Sequence, residues 1–497
     1  MAEAGALVGA LGAFLAIFGR SRPAVVTGIA ALGAAELVLA RELVPSTSSL
    51  ALAALGVAGA LAIAALAALF VRFPGVVPAV VVGVAPFRLP FEVSAENRFL
   101  VGLGEAGALG RLVPLYVVLA ATAVALVWRA IRGDPLPVLP WALTLPAALL
   151  VALMTASLVW AYDPVAAEDR LAFFVVPFAV LLAVVSRAPF RPWLPRVLAV
   201  EAVALACLFA AVGLGEAWAR ELLFYDPKVA VANEYTSYFR VTSLFSDPSI
   251  YGRHVVAAIA VLVVALWLAR ISFALGALLV AFLWAGLYFS YSQSSMLALA
   301  AATVVVTFLV ADARVRRWLA GAAVALALVG AVTFATLLRD EPAERVTSGR
   351  STLVEDTWTV FSNHPLAGVG VASQPAASRD EAAGARRERR NVSHTAPLTI
   401  AAELGALGVV LYVAFLAGVV RVLWAVRARD EALGLALLAV AVVLFVHSLV
   451  YGVFFDDPVL WATLGIACAA AVARAPVRAV EPLRAESRRS EPAPAAR

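Results

Sequence analysis

The sequence predicts an all-α protein: a polytopic transmembrane helical bundle of about 12–15 membrane segments with a long, partly helical extracytoplasmic loop. Of its 497 residues 63% are hydrophobic, and the mean hydropathy is +0.94, whereas a soluble domain is about 45–50% apolar. The apolar residues form runs of about 17–25, the length that crosses a bilayer core as a helix. The long polar segments both come after residue 214.

Eight apolar runs in the first half predict membrane helices. The first has neither a basic n-region nor a clear cleavage site, so we expect it to be retained rather than removed as a signal peptide. The fourth is short and bounded by prolines, which favours a re-entrant segment. The runs cover residues 4–19, 24–40, 49–70, 74–88, 112–128, 139–161, 170–186 and 194–214.

Seven further runs in the second half complete the predicted bundle. Two long polar segments interrupt them, at 215–253 and 339–395. The runs cover residues 252–269, 272–290, 293–311, 319–338, 396–420, 432–452 and 458–473.

The arginines of the short connections predict the orientation of the bundle. Short loops rich in arginine stay in the cytoplasm, and with alternating spans these arginines fall on one side together with the C-terminal tail. The two long polar segments then face outward, where the charge rule is weak because long loops cross regardless of charge. The arginines are Arg20, Arg22, Arg129, Arg132, Arg187, Arg191, Arg196, Arg270, Arg314, Arg316, Arg317, Arg421, Arg427 and Arg429.

Charge and cysteine content argue against several function classes. The net charge of +5 does not indicate a nucleic-acid partner, because the basic residues lie between apolar runs. The two cysteines, Cys207 and Cys468, lie inside apolar runs, so neither a disulfide framework nor a zinc site is expected. We expect no metal and no cofactor.

The first stretch that could carry chemistry is FRVTSLFSDPSIYGRH, residues 239–254. Asp247, Pro248 and Ser249 are the residue types of a helix start, with proline at the first helical position. Arg240 and Arg253 flank that start. An ordinary helix entry with interfacial arginines explains the stretch as well as a substrate site does.

The second stretch is YFSYSQSSMLALA, residues 288–300, a polar interruption between two apolar runs. It contains Gln293. A plain tight turn explains its serines, and a substrate-facing turn remains the alternative.

The third stretch is RVTSGRSTLVEDTWTVFSNHPLAGVGVASQ, residues 345–374. From Arg350 onward its apolar spacing predicts an amphipathic helix over about 351–362 that lies on the membrane surface. A turn at Asn363-His364-Pro365 follows, and then Gly368-Val369-Gly370. A lone Gly-x-Gly is weak as a phosphate loop, so a tight turn is the preferred interpretation.

The fourth stretch is RRERRNVSHTAPLTIAAELG, residues 386–405, in which His394 stands just before an apolar helix that contains Glu403. An acidic residue within a membrane helix marks a functional site by default. The alternative places Glu403 near the interface, with Gly405 and Gly408 allowing close helix packing. The stretch also gathers four arginines: Arg386, Arg387, Arg389 and Arg390.

In this order, the four stretches resemble the O-antigen ligase and O-antigen polymerase superfamily of bacterial membrane proteins, over residues 240–408. The family has an arginine before a Phe-x-x-Pro turn, matched by Arg240 and SLFSDPS, and a serine-rich turn, matched by SYSQSS. It has a Gly-Arg start before His-Pro-Leu-x-Gly-x-Gly, matched by SGRSTLVEDTWTVFSNHPLAGVG. It has a histidine before a Glu-x-Gly helix, matched by SHTAPLTIAAELGALG.

The resemblance implies a metal-independent glycosyltransferase in the bacterial cytoplasmic membrane. The donor is a glycan on undecaprenyl diphosphate, and the acceptor is a hydroxyl of a glycan, a lipid or a wall polymer at the outer face of the bilayer. Residues 1–214 are then N-terminal transmembrane helices. Residues 215–474 are the catalytic region with the large outer loop 339–395. Residues 475–497 are a disordered basic cytoplasmic tail.

Roles for single residues follow from the same resemblance. Arg240 and Arg350 are expected to hold the diphosphate, since a guanidinium binds phosphate with two parallel hydrogen bonds. His394 is expected to act as general base or to orient the acceptor hydroxyl. Gln293 occupies the position where the ligase branch has a second arginine, which favours a polymerase or a divergent branch. Further substrate contacts are expected from Arg253, Arg386, Arg387, Arg389, Arg390, Gln293 and Glu403.

Two other classes of protein remain possible on the sequence. A lipid-linked glycan flippase or other transporter would also be polytopic and arginine-lined, but such proteins often carry internal repeats with paired broken helices, and the spans show no repeat. A non-catalytic assembly protein is the third possibility. Release of free undecaprenyl diphosphate in a transfer assay distinguishes the enzyme from both.

Overall fold

The computed structural model describes residues 1–41, 49–87, 112–223, 227–340, 349–381, 393, 395–452 and 454–473, and within them the protein is a bundle of helices. Each of the fifteen predicted apolar runs coincides with a helix. The first-half helices are α1 (Ala2–Phe18), α2 (Arg22–Arg41), α3 (Ser49–Arg72), α4 (Val77–Val84), α5 (Val113–Ile131), α6 (Trp141–Ala156), α7 (Pro164–Arg170), α8 (Val176–Ser186) and α9 (Leu194–Ala219).

The second half continues the bundle and adds three helices in the polar segments: α10, α15 and α16. Its helices are α10 (Pro227–Tyr235), α11 (Pro248–Trp267), α12 (Phe273–Ser290), α13 (Gln293–Val310), α14 (Ala313–Asp340), α15 (Arg350–Asn363), α16 (Gln374–Glu381), α17 (Ala396–Arg429), α18 (Glu431–Tyr451) and α19 (Pro458–Val472).

Eleven helices in the described part of the chain are long and apolar enough to cross a membrane, so the protein is a multi-pass membrane protein. The pair Gly56–Arg72 and Pro74–Val84 is bent by 105° and gives a twelfth candidate, as a broken span or a re-entrant loop. This is the region where short length and prolines predicted a re-entrant segment. Ala2–Phe18 and Pro458–Val472 are apolar but shorter.

Two apolar cores divide the bundle. The larger one joins α1, α2, α5, α6 and α8 with parts of α17 and α19. The smaller one joins α9, α11, α12 and α13 with α18. Because α17, α18 and α19 pack against one another, they link the two cores, and the polar residues described below lie at that junction.

A short π-helical segment joins α7 to α8, and a proline explains it. Residues Leu171–Val175 form the turn, and Pro177 follows in the first turn of α8. Proline has no N–H, so in a regular helix the carbonyl of Phe173 would lose its partner four residues on. The Tyr116 hydroxyl donates to that carbonyl at 2.6 Å instead. The turn directly follows Arg170, a residue of the site.

Arg187 is one of the arginines that predicted the cytoplasmic side, but it is not a solvated loop charge. Its side chain is 1% exposed and donates to the carbonyls of Ala183, Ile17 and Gly19. It therefore supplies hydrogen bonds that the C-terminal end of α1 cannot make within the helix.

Candidate functional site

Arg240 lies in a loop that is held against the end of α12. Asn233 binds the backbone of Arg240 at both its N–H (2.8 Å) and its carbonyl (3.0 Å). The Arg240 Nε donates to the carbonyl of Ser290 at 3.3 Å. The side chain is half-buried, and in the described part of the chain it has no carboxylate partner. Its positive charge is therefore uncompensated by these residues.

A buried glutamate that the sequence reasoning missed shapes this loop. Glu216, near the end of α9, is 4% exposed. Its carboxylate accepts from the backbone N–H groups of Leu223 (2.8 Å), Thr242 (2.9 Å) and Ser243 (2.7 Å). Ser243 has a left-handed φ of 54°, which costs energy outside glycine. These hydrogen bonds fix the loop two residues after Arg240.

The serine-rich stretch is a tight turn, as one of the two interpretations had it. Ser290 ends α12, Tyr291 takes a left-handed φ of 48°, and the Ser292 hydroxyl caps α13 by accepting from the N–H of Ser295. The predicted residue Gln293 is the first residue of α13, and it is exposed.

The N-terminus of α11 packs directly on this turn. Asp247 caps the helix by accepting from the N–H of Ser249 at 2.6 Å, which confirms the predicted helix start. The Ser295 hydroxyl reaches the Ser249 carbonyl at 3.4 Å. A Cβ at Gly252 would lie 2.7 Å from that hydroxyl oxygen. A side chain at 252 would therefore force the Ser295 hydroxyl to shift, so glycine favours the close approach of α11 to the turn that contacts Arg240.

Arg253 lies one turn deeper in α11 and is ion-paired. Its Nε is 2.9 Å from Asp457 Oδ2, and both side chains are at most 3% exposed. Asp457 also caps α19 through the N–H of Val459 at 2.8 Å. A buried, compensated guanidinium is poorly placed to attract a headgroup from the membrane surface, and the geometry fits a positioning role.

The four histidines have distinct surroundings. His447 of α18 is fully buried and lies 3.2 Å from the Ser294 hydroxyl, as expected for a buried, hydrogen-bonded residue. His254 contacts the carbonyl of Ile250 and stacks on Phe245. His364, which directly follows α15, is exposed and pairs with Glu381 at 3.1 Å. His394 lies outside the described residues.

The predicted amphipathic helix forms as α15, close to the predicted bounds. Asp356, Thr357 and Val360 face inward, while Val354 and Trp358 are exposed. Arg350 is the first residue of the helix and is exposed, and among the described residues it has no carboxylate partner. Like Arg240, it carries a charge that these residues do not neutralise.

Gln374, the first residue of α16, holds the backbone next to His394. Its side chain is 1% exposed, and its Nε2 donates to Thr357 Oγ1 (3.2 Å) and Ser378 Oγ (2.7 Å). Its Oε1 accepts from the N–H of Ser393 at 3.1 Å. The Ser393 hydroxyl in turn accepts from the N–H of Thr395 at 3.3 Å. Both neighbours of His394 are therefore anchored.

Helix α17 is broken at Gly405, which has φ 63° and ψ −164°, a region open essentially to glycine alone. In an unbroken helix the carbonyls of Ala402 and Glu403 would accept from the N–H groups four residues on. Those two N–H groups, of Ala406 and Leu407, instead donate to the carbonyls of Pro365 and Leu366 at 2.8 and 3.4 Å.

The loop at residues 365–370 in turn donates hydrogen bonds to the carbonyls that the break leaves free. The N–H of Val369 donates to the Ala402 carbonyl at 3.0 Å, and the N–H of Gly370 donates to the Glu403 carbonyl at 2.8 Å. Gly368 and Gly370 both have positive φ, as the predicted tight turn requires. The Gly-Val-Gly stretch is therefore a backbone partner of the broken helix. Gly405 admits this loop rather than another helix.

Glu403, just before the break, is buried and belongs to a charge cluster whose other members, Arg170 and Asp456, are partly buried. Arg170 Nη1 lies 3.4 Å from both oxygens of Glu403. Arg170 also binds Asp456 through its Nε (3.2 Å) and its Nη2 (2.5 Å). Together with Ala396 and Thr399, the three side chains line a cavity of about 30 Å³, which is room for about one water molecule. Glu403 is thus engaged within the protein.

Asp456 and Asp457 join the two halves of the site, and the sequence reasoning missed both, together with Arg170. Asp456 belongs to the cluster at α17, and Asp457 pairs with Arg253 of α11. Adjacent Cα atoms are 3.8 Å apart, so the two ion pairs are locked side by side. The sequence does place charged residues in or beside apolar segments, and such charges are expected to be paired. The sequence does not show which residues pair with one another.

The structure thus brings the described site residues into two groups. Arg240, Gln293 and Arg253 lie around the start of α11 and the serine turn, and Glu403 lies at the break of α17. Arg350 is on α15, which packs against α17. The predicted residues His394, Arg386, Arg387, Arg389 and Arg390 lie outside the described part of the chain.

Comparison with known proteins bears on this same region. A family model described as O-antigen ligase matches residues 277–413. The matched segment runs from α12 through the serine turn, α15 and the outer loop to beyond the break of α17. No curated protein matches the chain significantly.

Proposed function

Because the chain belongs to the O-antigen ligase and polymerase superfamily, we propose that it transfers a glycan from undecaprenyl diphosphate to an acceptor hydroxyl. The reaction takes place at the outer face of the bacterial cytoplasmic membrane, without a metal ion. The acceptor is a glycan, a lipid or a wall polymer, and Gln293 in the place of a ligase arginine favours polymerisation.

The observation that carries the proposal is the contrast among the arginines. Arg253 and Arg170 are paired with carboxylates, whereas Arg240 and Arg350 have no such partner among the described residues. An arginine left uncompensated in a membrane protein is ready for an anionic ligand, and guanidinium binds phosphate through paired charge-assisted hydrogen bonds. A lipid diphosphate is an anion that resides at this interface.

In the proposed reaction the acceptor oxygen attacks the anomeric carbon of the donor sugar. His394 takes the hydroxyl proton as general base. The bond from the anomeric carbon to the diphosphate oxygen breaks, and undecaprenyl diphosphate leaves with the bonding electrons. Arg240 and Arg350 meet the charge that develops on the leaving diphosphate, as fixed donors do in a preorganised site. The cluster at 386–390 adds positive charge for the headgroup.

The anchoring of residues 393 and 395 supports His394 as the base. A base is effective when it is held within hydrogen-bond reach of the proton it removes. Gln374 fixes Ser393, and the N-terminal half of α17 begins directly after Thr395. The backbone N–H groups of Ser393 and Thr395 are therefore both held by hydrogen bonds, which supports the proposed role of the residue between them.

Reconstitution tests the proposal. Purified protein in liposomes is given a glycan on undecaprenyl diphosphate, and free undecaprenyl diphosphate and the elongated or transferred glycan are measured. We expect both products, and their loss in Arg240→Lys and Arg350→Lys protein. Movement of the intact donor across the bilayer without release of undecaprenyl diphosphate would instead identify a transporter. Full turnover by both lysine variants would show that these arginines do not hold the donor.

A further inference from the structure

Asp456 and Asp457, at the start of α19, each form an ion pair with an arginine from a different part of the bundle. On one side Asp457 pairs with Arg253. Arg253 follows Gly252 and Ser249, the residues of α11 that contact the serine turn. The Ser290 carbonyl of that turn accepts from Arg240. A short chain of contacts therefore connects Asp457 to Arg240, the residue proposed to bind the diphosphate.

On the other side Asp456 binds Arg170 through two hydrogen bonds, and Arg170 reaches both oxygens of Glu403. Glu403 is the eighth residue of the N-terminal half of α17, the segment that begins just after His394. The break at Gly405 separates this half from the rest of α17, so its position depends on side contacts. The Arg170–Glu403 contact is one of them.

We propose that Asp456 and Asp457 are positioning residues for glycan transfer, which together hold the N-terminal half of α17 in register with the proposed diphosphate-binding residue Arg240. This inference rests on the proposed function. None of Arg170, Asp456 and Asp457 lies within residues 277–413, so the family match does not assign them a role. Because Asp456 and Asp457 are consecutive residues, their side chains can hold α17 and α11 in a fixed relative position.

The two arginines of this arrangement differ in their number of carboxylate partners. Arg170 faces two carboxylates and Arg253 faces one. Loss of Asp457 leaves the Arg253 charge buried without its carboxylate partner, whereas loss of Asp456 removes the hydrogen bonds that hold Arg170 to α19 and leaves it with Glu403. Loss of Asp456 is therefore expected to displace the α17 side, and loss of Asp457 the α11 side. The two changes have different consequences for the reaction.

Kinetics of Asp456→Asn and Asp457→Asn distinguish these consequences. For Asp456→Asn we expect the kcat to fall about 10–100-fold, because a displacement of about 1 Å of a reacting group has an effect of that size, with little change in the KM for the lipid-linked donor. For Asp457→Asn we expect the donor KM to rise roughly tenfold, comparable to losing one hydrogen bond to a charged group, with a smaller effect on kcat.

Asp430→Asn is the matched control. Asp430 caps α18 through the N–H of Leu433 at 3.0 Å, as Asp457 caps α19, and it lies at the opposite end of the bundle from the site. Asparagine is as good an N-cap as aspartate, so loss of a cap contributes to none of the three variants. We expect wild-type kcat and KM for Asp430→Asn.

If an asparagine variant fails to fold, Arg170→Lys replaces it. Lysine keeps the charge but cannot bind Asp456 and Glu403 at once through a planar fork, and we expect the kinetic signature of Asp456→Asn. Folded Asp456→Asn and Asp457→Asn proteins with wild-type constants, or with one shared signature, would overturn the inference. If the wild-type protein releases no undecaprenyl diphosphate, the proposed function itself has failed, whereas full activity of His394→Ala and Arg240→Lys would refute only the roles given to those two residues.

Discussion

Replacing Gly405 by alanine tests whether the break in α17 matters for activity. Gly405 has φ 63° and ψ −164°, and a non-glycine residue held in such a region costs about 1–3 kcal/mol. A Cβ at this position would lie 2.2 Å from the carbonyl oxygen of Leu366 and 2.3 Å from its carbonyl carbon. These are backbone atoms, so no side-chain rotation relieves the contact.

The expected loss follows from the displacement that the methyl group forces. To restore ordinary contact, the loop at Leu366 and the broken helix must separate by about 1 Å, and a misplacement of that size costs about 100-fold in rate. The four backbone hydrogen bonds between the loop and the break weaken at the same time. Each is worth about 0.5–1.5 kcal/mol net, so thermal stability should fall together with activity.

The assay is the release of undecaprenyl diphosphate per folded protein, with thermal unfolding of the same preparation in detergent. Gly330→Ala is the control, because Gly330 lies inside α14 with nothing within 4 Å of a Cβ there. Alanine in a helix interior is favoured over glycine by about 0.5–1 kcal/mol, so this variant should be as active and at least as stable as the parent. Wild-type rate and stability in Gly405→Ala would refute the role of the break.

Three further outcomes are expected. Arg240→Lys should lower the transfer rate about ten- to a hundredfold, the size of one lost charge-assisted hydrogen bond, and an unchanged rate would make Arg240 structural. His394→Ala should lower it about 10²–10⁴-fold while donor binding persists, and a loss below about tenfold in well-folded protein would rule out the base. Leu366→Cys, at a site 78% exposed in the outer loop, should react with a membrane-impermeant thiol reagent in intact cells, whereas Ser487→Cys in the C-terminal tail should not, and the reverse pattern would invert the proposed topology.

The helices were predictable because each depends on local sequence alone. Runs of apolar residues of bilayer length fold as helices wherever they occur. Local chemistry also predicted the Asp247 cap of α11 and the turn at Gly368–Gly370. The tight turn at residues 290–292, which the serines between two apolar runs predicted, is also present in the structure.

The charge cluster was not predictable in the same way. Arg170 and Asp456 are 286 residues apart in the chain, and their pairing depends on how α7 and the start of α19 are arranged in the bundle. Arg170 stood at the first position of a predicted span, where an interfacial arginine is unremarkable. Periodicity gives the type of each element but not its neighbours, so a pair like this emerges only with the packing.

The break at Gly405 was missed for a related reason. Gly405 and Gly408 within an apolar run are typical of close helix packing, and a helix interruption gives the same local pattern. What distinguishes them is the backbone of residues 365–370, a loop some forty residues earlier in the chain that pairs with the break.

The exchange of hydrogen bonds between this loop and α17 also constrains the order in which the protein is assembled. In lipid, an unpaired backbone group costs several kcal/mol, so a segment entering the bilayer must satisfy its own N–H and carbonyl groups. Helix α17 can do so only as a continuous helix. Its interruption is tolerated once residues 365–370, which are synthesised earlier, lie alongside and pair with the released N–H and carbonyl groups. The pairing of residues 365–370 with α17 is therefore expected to follow the insertion of that helix.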